Sequence, residues 1–147
     1  MSELPSTPTV PDMMNAYALD AVDHAKSQGV VLDFSPESVR AVEALLGTMY
    51  EARPRGVLSR LFSRGPSQEV LHTFSKMYGG YVGEVLRRSS GGEWYIDQSL
   101  VPGTVGLRNG DRSIWPPSKV AKRLLNGPED NIWHYFQIVS KDWSVAV

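Results

Sequence analysis

The chain contains no cysteine, which excludes disulfides and thiolate metal centres and permits a reducing compartment. Its three histidines, His24, His72 and His134, stand in separate segments with no partner four residues away, so the spacing of a helical two-histidine metal site is missing. P-loop, G-x-S-x-G and dinucleotide fingerprints are also missing, and no cofactor is expected. No apolar run approaches the roughly 18 residues of a membrane span. The opening MSELPSTPTVPDMM has neither the basic nor the apolar stretch of a signal peptide. The expectation is a cytoplasmic protein.

Net charge is nearly absent as well, at −1, but its distribution is uneven. Residues 1–52 hold eight acids and two bases, residues 53–126 five acids and twelve bases, and residues 127–147 three acids and one base. A chain of 147 residues with 41% apolar and 21% charged side chains is of one-domain size. Residues 1–11, with three prolines among Ser and Thr, are expected to be disordered or loosely ordered, and residues 12–147 to form the domain.

Helical spacing recurs along the chain. Asp12 is the expected N-cap of a first helix ending at Gly29, and Ser35-Pro36 opens a second, whose stripe is Val39, Val42, Leu45, Leu46 and Met49. The two are expected to pair antiparallel. A connector follows, EARPRGVLSRLFSRGP, whose VLSRLFSR part has weak amphipathic character, and Ser67 is the expected cap of the next helix. There Leu71, Phe74, Tyr78, Tyr81, Val82 and Val85 recur at threes and fours, the pattern of a central, largely buried helix. Gly79, Gly80 and Gly83 inside it each cost about 1 kcal/mol relative to alanine, which implies a neighbour packed against the backbone.

Gly91-Gly92 ends this helix and EWYI turns extended. Asn109-Gly110 marks a type I′ hairpin turn, pairing Arg108 with Asp111 and Leu107 with Arg112. Pro116-Pro117 opens a short basic helix capped by Gly127, and Pro128-Glu129-Asp130 a last helix with acids in its first turn. DWSVAV is left as a tail or edge strand. The fold class is therefore α+β, a single domain of about five helices packed with a small antiparallel sheet of about three strands in the C-terminal half.

The segment Tyr78–Trp94, YGGYVGEVLRRSSGGEW, with the later PPSKVAKRLLNGPED, resembles an uncharacterised bacterial domain-of-unknown-function family. In that family a Gly-Glu-bearing helix leads into a G-G-x-W strand and a short basic helix. The resemblance spans about residues 68–136, implies an α+β domain and carries no activity or catalytic residue.

Candidate binding residues are Glu84, Arg87 and Arg88, with Glu84 able to pair with either arginine on a solvated face, and Lys119, Lys122 and Arg123 on one side of the short helix. With Trp94 and Trp115 they compose a basic surface bearing aromatics. The leading expectation is a non-enzymatic protein that binds an acidic protein partner, as an inhibitor or immunity-type protein. A hydrolase using Glu84, Glu93 and Asp97 is one alternative, and a nucleic-acid-binding module using the basic helix another, which the net charge of −1 disfavours. Oligomeric state is left open. If the basic surface is only a surface, reversing Lys119, Lys122 and Arg123 to Glu should cost little stability.

Overall fold

The first helix, α1 (Val10–Ser27), starts from Thr9 and not from Asp12. Thr9 Oγ1 accepts the Asp12 N–H at 3.2 Å while the Asp12 carboxylate accepts the Thr9 N–H at 3.4 Å, a capping box in which Asp12 is the third helical residue. The computed structural model describes residues 7–52 and 68–145. The VLSRLFSR connector and the Ser67 cap lie outside those residues.

Helix α2 (Ser38–Glu51) begins after one tight turn, in which Ser35 Oγ accepts the Ser38 N–H at 3.2 Å and Ser38 Oγ donates to the Ser35 carbonyl at 2.6 Å. Ser35 therefore caps this turn, while α2 itself starts from Glu37, which makes no side-chain cap hydrogen bond, and Pro36 stands ahead of the helix and not at its first position. The antiparallel pairing of α1 with α2 does not occur. Buried Ala18, Ala21 and Ala25 make α1 narrow on one side, and it lies along α3 (Gln68–Ser90); α2 packs instead on α4 (Pro116–Asn126) and α5 (Ile132–Val145). Small side chains allow the α1–α3 approach, and the bulkier Val39, Val42 and Leu46 stripe serves the other layer.

Every residue of α3 from Met77 to Leu86 is buried. Elements reach its backbone where side chains are missing. A Cβ on Gly80 would stand 3.1 Å from the Met14 carbonyl oxygen of α1, one on Gly79 would stand 2.6 Å from the Pro117 nitrogen of α4, and one on Gly83 would run into the Trp94 indole. Polar ties add to this. Tyr78 Oη is 2.6 Å from His24 Nδ1, and Tyr81 Oη accepts the Phe34 N–H at 2.8 Å and meets Ser38 Oγ at 2.5 Å. Burial pushes the Tyr78 hydroxyl up to about 12 and holds His24 below its ordinary value, so both are neutral near pH 7.

Gly91 and Gly92 take φ of 88° and 131° and turn the chain into β1 (Glu93–Ile96). With β2 (Val105–Asn109) and β3 (Arg112–Ile114) it forms an antiparallel sheet in the order β1–β2–β3, with Trp94 opposite Leu107 and Leu107 opposite Ile114. The hairpin turn sits one residue later than Asn109-Gly110 implies. Asn109 pairs with Arg112, and φ is positive at Gly110 but not at Asp111, the sign pattern of a type II′ turn. Asn109 stays in the strand because its Nδ2 donates to the Ser90 carbonyl at 3.0 Å, tying the hairpin to the end of α3.

Gly127, at φ 95°, ends α4. Two further expectations fail at the C-terminus. Pro128–Asp130 is a separate 3₁₀ turn whose Asp130 is taken by Lys119, so α5 begins at Ile132 without acids in its first turn. DWSVAV continues that helix as far as Val145, because Trp143 is buried against Gly92. Among the described residues the chain is thus a single α+β domain of five helices and one three-stranded antiparallel sheet in the C-terminal half.

Gly83→Leu is expected to lower stability by about 1–3 kcal/mol, since the side chain must displace Trp94. Thermal melting with Trp fluorescence reads this directly; an unchanged melt would show that Trp94 does not need the bare backbone at Gly83.

Candidate functional site

Four of the residues singled out from sequence do meet. Glu84, two residues before the end of the buried part of α3, is 1% exposed, so it is not on a solvated face. Arg87 spans it with Nε at 2.8 Å and Nη2 at 3.0 Å, Arg88 Nε donates at 3.2 Å and Trp94 Nε1 at 2.8 Å. Burial pushes the Glu84 carboxyl up, but the hydrogen bonds from Arg87, Trp94 and Arg88 outweigh it and hold the group below the ordinary carboxylate range. Arg88 also donates to Asn15 at 3.3 Å and lies 3.7 Å over the Phe34 ring. Phe34 is the one non-glycine residue with positive φ among those described, at 63°. Its N–H bond to Tyr81 and its stacking on Arg88 hold it in that conformation.

The carboxylate group expected for hydrolysis does not assemble. Asp97 keeps separate partners: Ser99 first, then Trp115 Nε1 at 3.0 Å and the Tyr95 hydroxyl at 3.4 Å. The Ser99 and Trp115 bonds hold it low. Strand alternation puts Tyr95 and Trp94 on opposite faces of β1, and Glu93 is exposed. Glu84 and Asp97 are thus ionised at neutral pH, and they share no partner. Among the described residues no group of three or more His, Asp or Glu is placed to hold a metal ion.

The basic helix is divided in the same way. Arg123 is 3% exposed and grips Glu43 of α2 through Nε and Nη2 at 2.8–3.0 Å, while Glu43 also accepts the Ile132 N–H that opens α5 at 2.8 Å. Lys119 pairs with Asp130 at 2.9 Å, and Lys122 is exposed. Trp94 is buried at α3 and Trp115 is committed to Asp97. A single cationic face with stacking aromatics is therefore not what these residues form; their charges are mostly spent inside the fold.

Sequence reasoning overlooked an open groove of about 650 Å³ between α1, the first half of α3, the β1–β2 loop and the start of α4. Met13, Met14 and Leu71 give it an apolar floor, and Ile96 and Val101 an apolar rim. Ile96 is 46% exposed, Met13 44% and Val101 75%. Ser75, 4% exposed, also lines it, and its hydroxyl has no hydrogen-bond partner among the described residues. Val101 was the available signal, since an apolar residue at the tip of a Pro-Gly turn has no core to join.

Two outcomes are expected. Arg123→Glu should unfold or destabilise the domain by about 3–5 kcal/mol, as removal of one member of a buried pair does, whereas Lys122→Glu should leave the melt nearly unchanged; equal small effects in denaturant titration would contradict the buried placement. Glu84 lies below its unfolded pKa in the fold, so its contribution is complete above about pH 4.5 and is lost as pH falls through the lower folded value. Stability curves of wild type and Glu84→Gln should thus converge in acid, and parallel curves from pH 7 to 3 would contradict the assignment.

Compared with protein-family models, curated proteins and solved structures, the chain gives no match, so the resemblance of Tyr78–Trp94 to a bacterial family stays an expectation and the site is read from its geometry alone.

Proposed function

We propose that the protein is a binding domain that takes an apolar segment of another protein into the groove between α1, α3 and the β1–β2 loop. The observation that carries this is the exposure of Met13, Ile96 and Val101 around an already formed apolar cavity. A contiguous apolar patch of this kind on a small domain is a contact surface, and the two methionines give it the adaptability of surfaces that accept varied side chains. An inhibitor or immunity-type role, acting by occupation of a partner, fits this mode of binding. The partner's contact is apolar in its centre, which moves the expected acidic contact from the basic helix to the edge of the groove at Lys76 and His72.

The test is binding of the full chain to bead-bound randomised decapeptides, some with free and some with amidated C-termini. Apolar peptides should be enriched, and Ile96→Glu with Val101→Glu should abolish the enrichment while changing stability by less than about 0.5 kcal/mol, as exposed substitutions do. Enrichment of the same peptides by the double variant would overturn the proposal.

A further inference from the structure

Apart from the groove, we infer that Asn109-Gly110 is a site of spontaneous deamidation, an amide-to-acid conversion that releases the tip of the β2–β3 hairpin from the end of α3. The chain has four asparagines, Asn15, Asn109, Asn126 and Asn131, and two of them, Asn109 and Asn126, precede glycine. The reaction needs the backbone nitrogen of the next residue to reach the side-chain carbonyl carbon, so its rate depends on whether that N–H is engaged and whether a side chain crowds it. Ala16 lies inside the hydrogen-bonded ladder of α1, the Ile132 N–H is given to Glu43 at 2.8 Å and the Gly127 N–H to the Arg123 carbonyl at 3.1 Å. Gly127 is also buried, with the Tyr50 ring where its Cβ would stand. Gly110 differs on each count. It is exposed, no atom beyond its chain neighbours lies within 4 Å of where a Cβ would stand, and among the described residues its N–H enters no backbone hydrogen bond.

The steps balance with water alone. The Gly110 nitrogen attacks Asn109 Cγ and loses its proton, the Nδ2 group leaves as ammonia, and the resulting succinimide takes up one water at either carbonyl to give an aspartyl or an isoaspartyl link. Before that, Nδ2 must leave the Ser90 carbonyl, to which it donates at 3.0 Å. A tight turn at the exposed end of a small sheet is where such opening costs least. The product cannot make the bond again. Ser90 ends α3, so its carbonyl belongs to the unsatisfied, negative end of the helix, and a carboxylate in place of the amide faces it with like charge. Arg87 and Arg88, near by in sequence, are committed to Glu84. In the isoaspartyl form the backbone gains a carbon between positions 109 and 110, which moves Arg112 out of register with Asn109 and away from Asp142.

The experiment incubates the full chain, folded and in urea, in warm, mildly alkaline buffer, and follows each asparagine by peptide mapping with mass spectrometry and by isoaspartyl methyltransferase labelling. In urea Asn109 and Asn126 should convert at similar rates. In the fold Asn109 should convert about tenfold faster than Asn126, the scale of one backbone hydrogen bond that has to open, and Asn15 and Asn131 should stay intact. Conversion at Asn126 as fast as at Asn109 in the folded chain, or conversion of both in urea and of neither in the fold, would overturn the inference. A second measurement reads the consequence. Asn109→Asp should speed amide hydrogen exchange in β3 and at the end of α3 severalfold, whereas Asn126→Asp should leave those amides unchanged. Wild-type exchange rates in Asn109→Asp would overturn the release of the hairpin.

Discussion

The arrangement depends on one constraint, that α3 must be touched by other elements at its backbone. A helix surrounded on all sides normally keeps its neighbours about 8–10 Å from its axis, because side chains intervene. Gly79, Gly80 and Gly83 remove that spacing at three positions within five residues, and α4, α1 and the Trp94 indole each occupy one of them. The three contacts are not interchangeable. At Gly79 and Gly80 the facing atoms include backbone, which has nowhere to go, while at Gly83 a single side chain is involved. What the glycines cost in helix propensity is offset by the close packing they permit, and the groove exists because α4 is held down at its start.

Around this pillar the charged groups are arranged as fixed parts of the interior. Glu84 would be costly alone in the core, but four hydrogen bonds from Arg87, Arg88 and Trp94 complete its shell, and the arginines keep their outer sides in water. The result is a continuous set of contacts from the sheet through α3 to the loop at Phe34, since Arg88 both serves Glu84 and covers the Phe34 ring. An ion pair drawn along one helix surface becomes, once Trp94 arrives, the joint between strand and helix.

The sequence showed the elements better than their partners. Periodicity and the Gly and Pro signals located the five helices and three strands of the described residues, because these depend on local spacing and backbone freedom. What it misassigned depends on tertiary competition. Asp12 yielded the cap to Thr9 because the box satisfies two donors and not one; Asn109 left the turn because Ser90 offered its side chain a carbonyl; Arg123 left the surface because Glu43, eighty residues away in the chain, was waiting inside. The convergence of Glu84, Arg87, Arg88 and Trp94 was legible in part, the arginines by helical spacing and Trp94 as a neighbour in sequence. The groove was not, since its walls come from four distant segments.

The Glu43 carboxylate joins α2 to α4 through Arg123 and to α5 through the Ile132 N–H, so one side chain couples three helices. This makes the two walls of the groove mechanically unequal. The α4 wall is clamped at both ends, by Pro117 on Gly79 and by Arg123 in the outer layer, whereas the tip of the β1–β2 loop is kept in shape by the short-range bonds from the Asp97 N–H to the Thr104 carbonyl and from the Thr104 N–H to the Val101 carbonyl. Compliance is therefore confined to the side that carries Val101. Any widening of the groove therefore falls on that loop, with the helical wall acting as a fixed side.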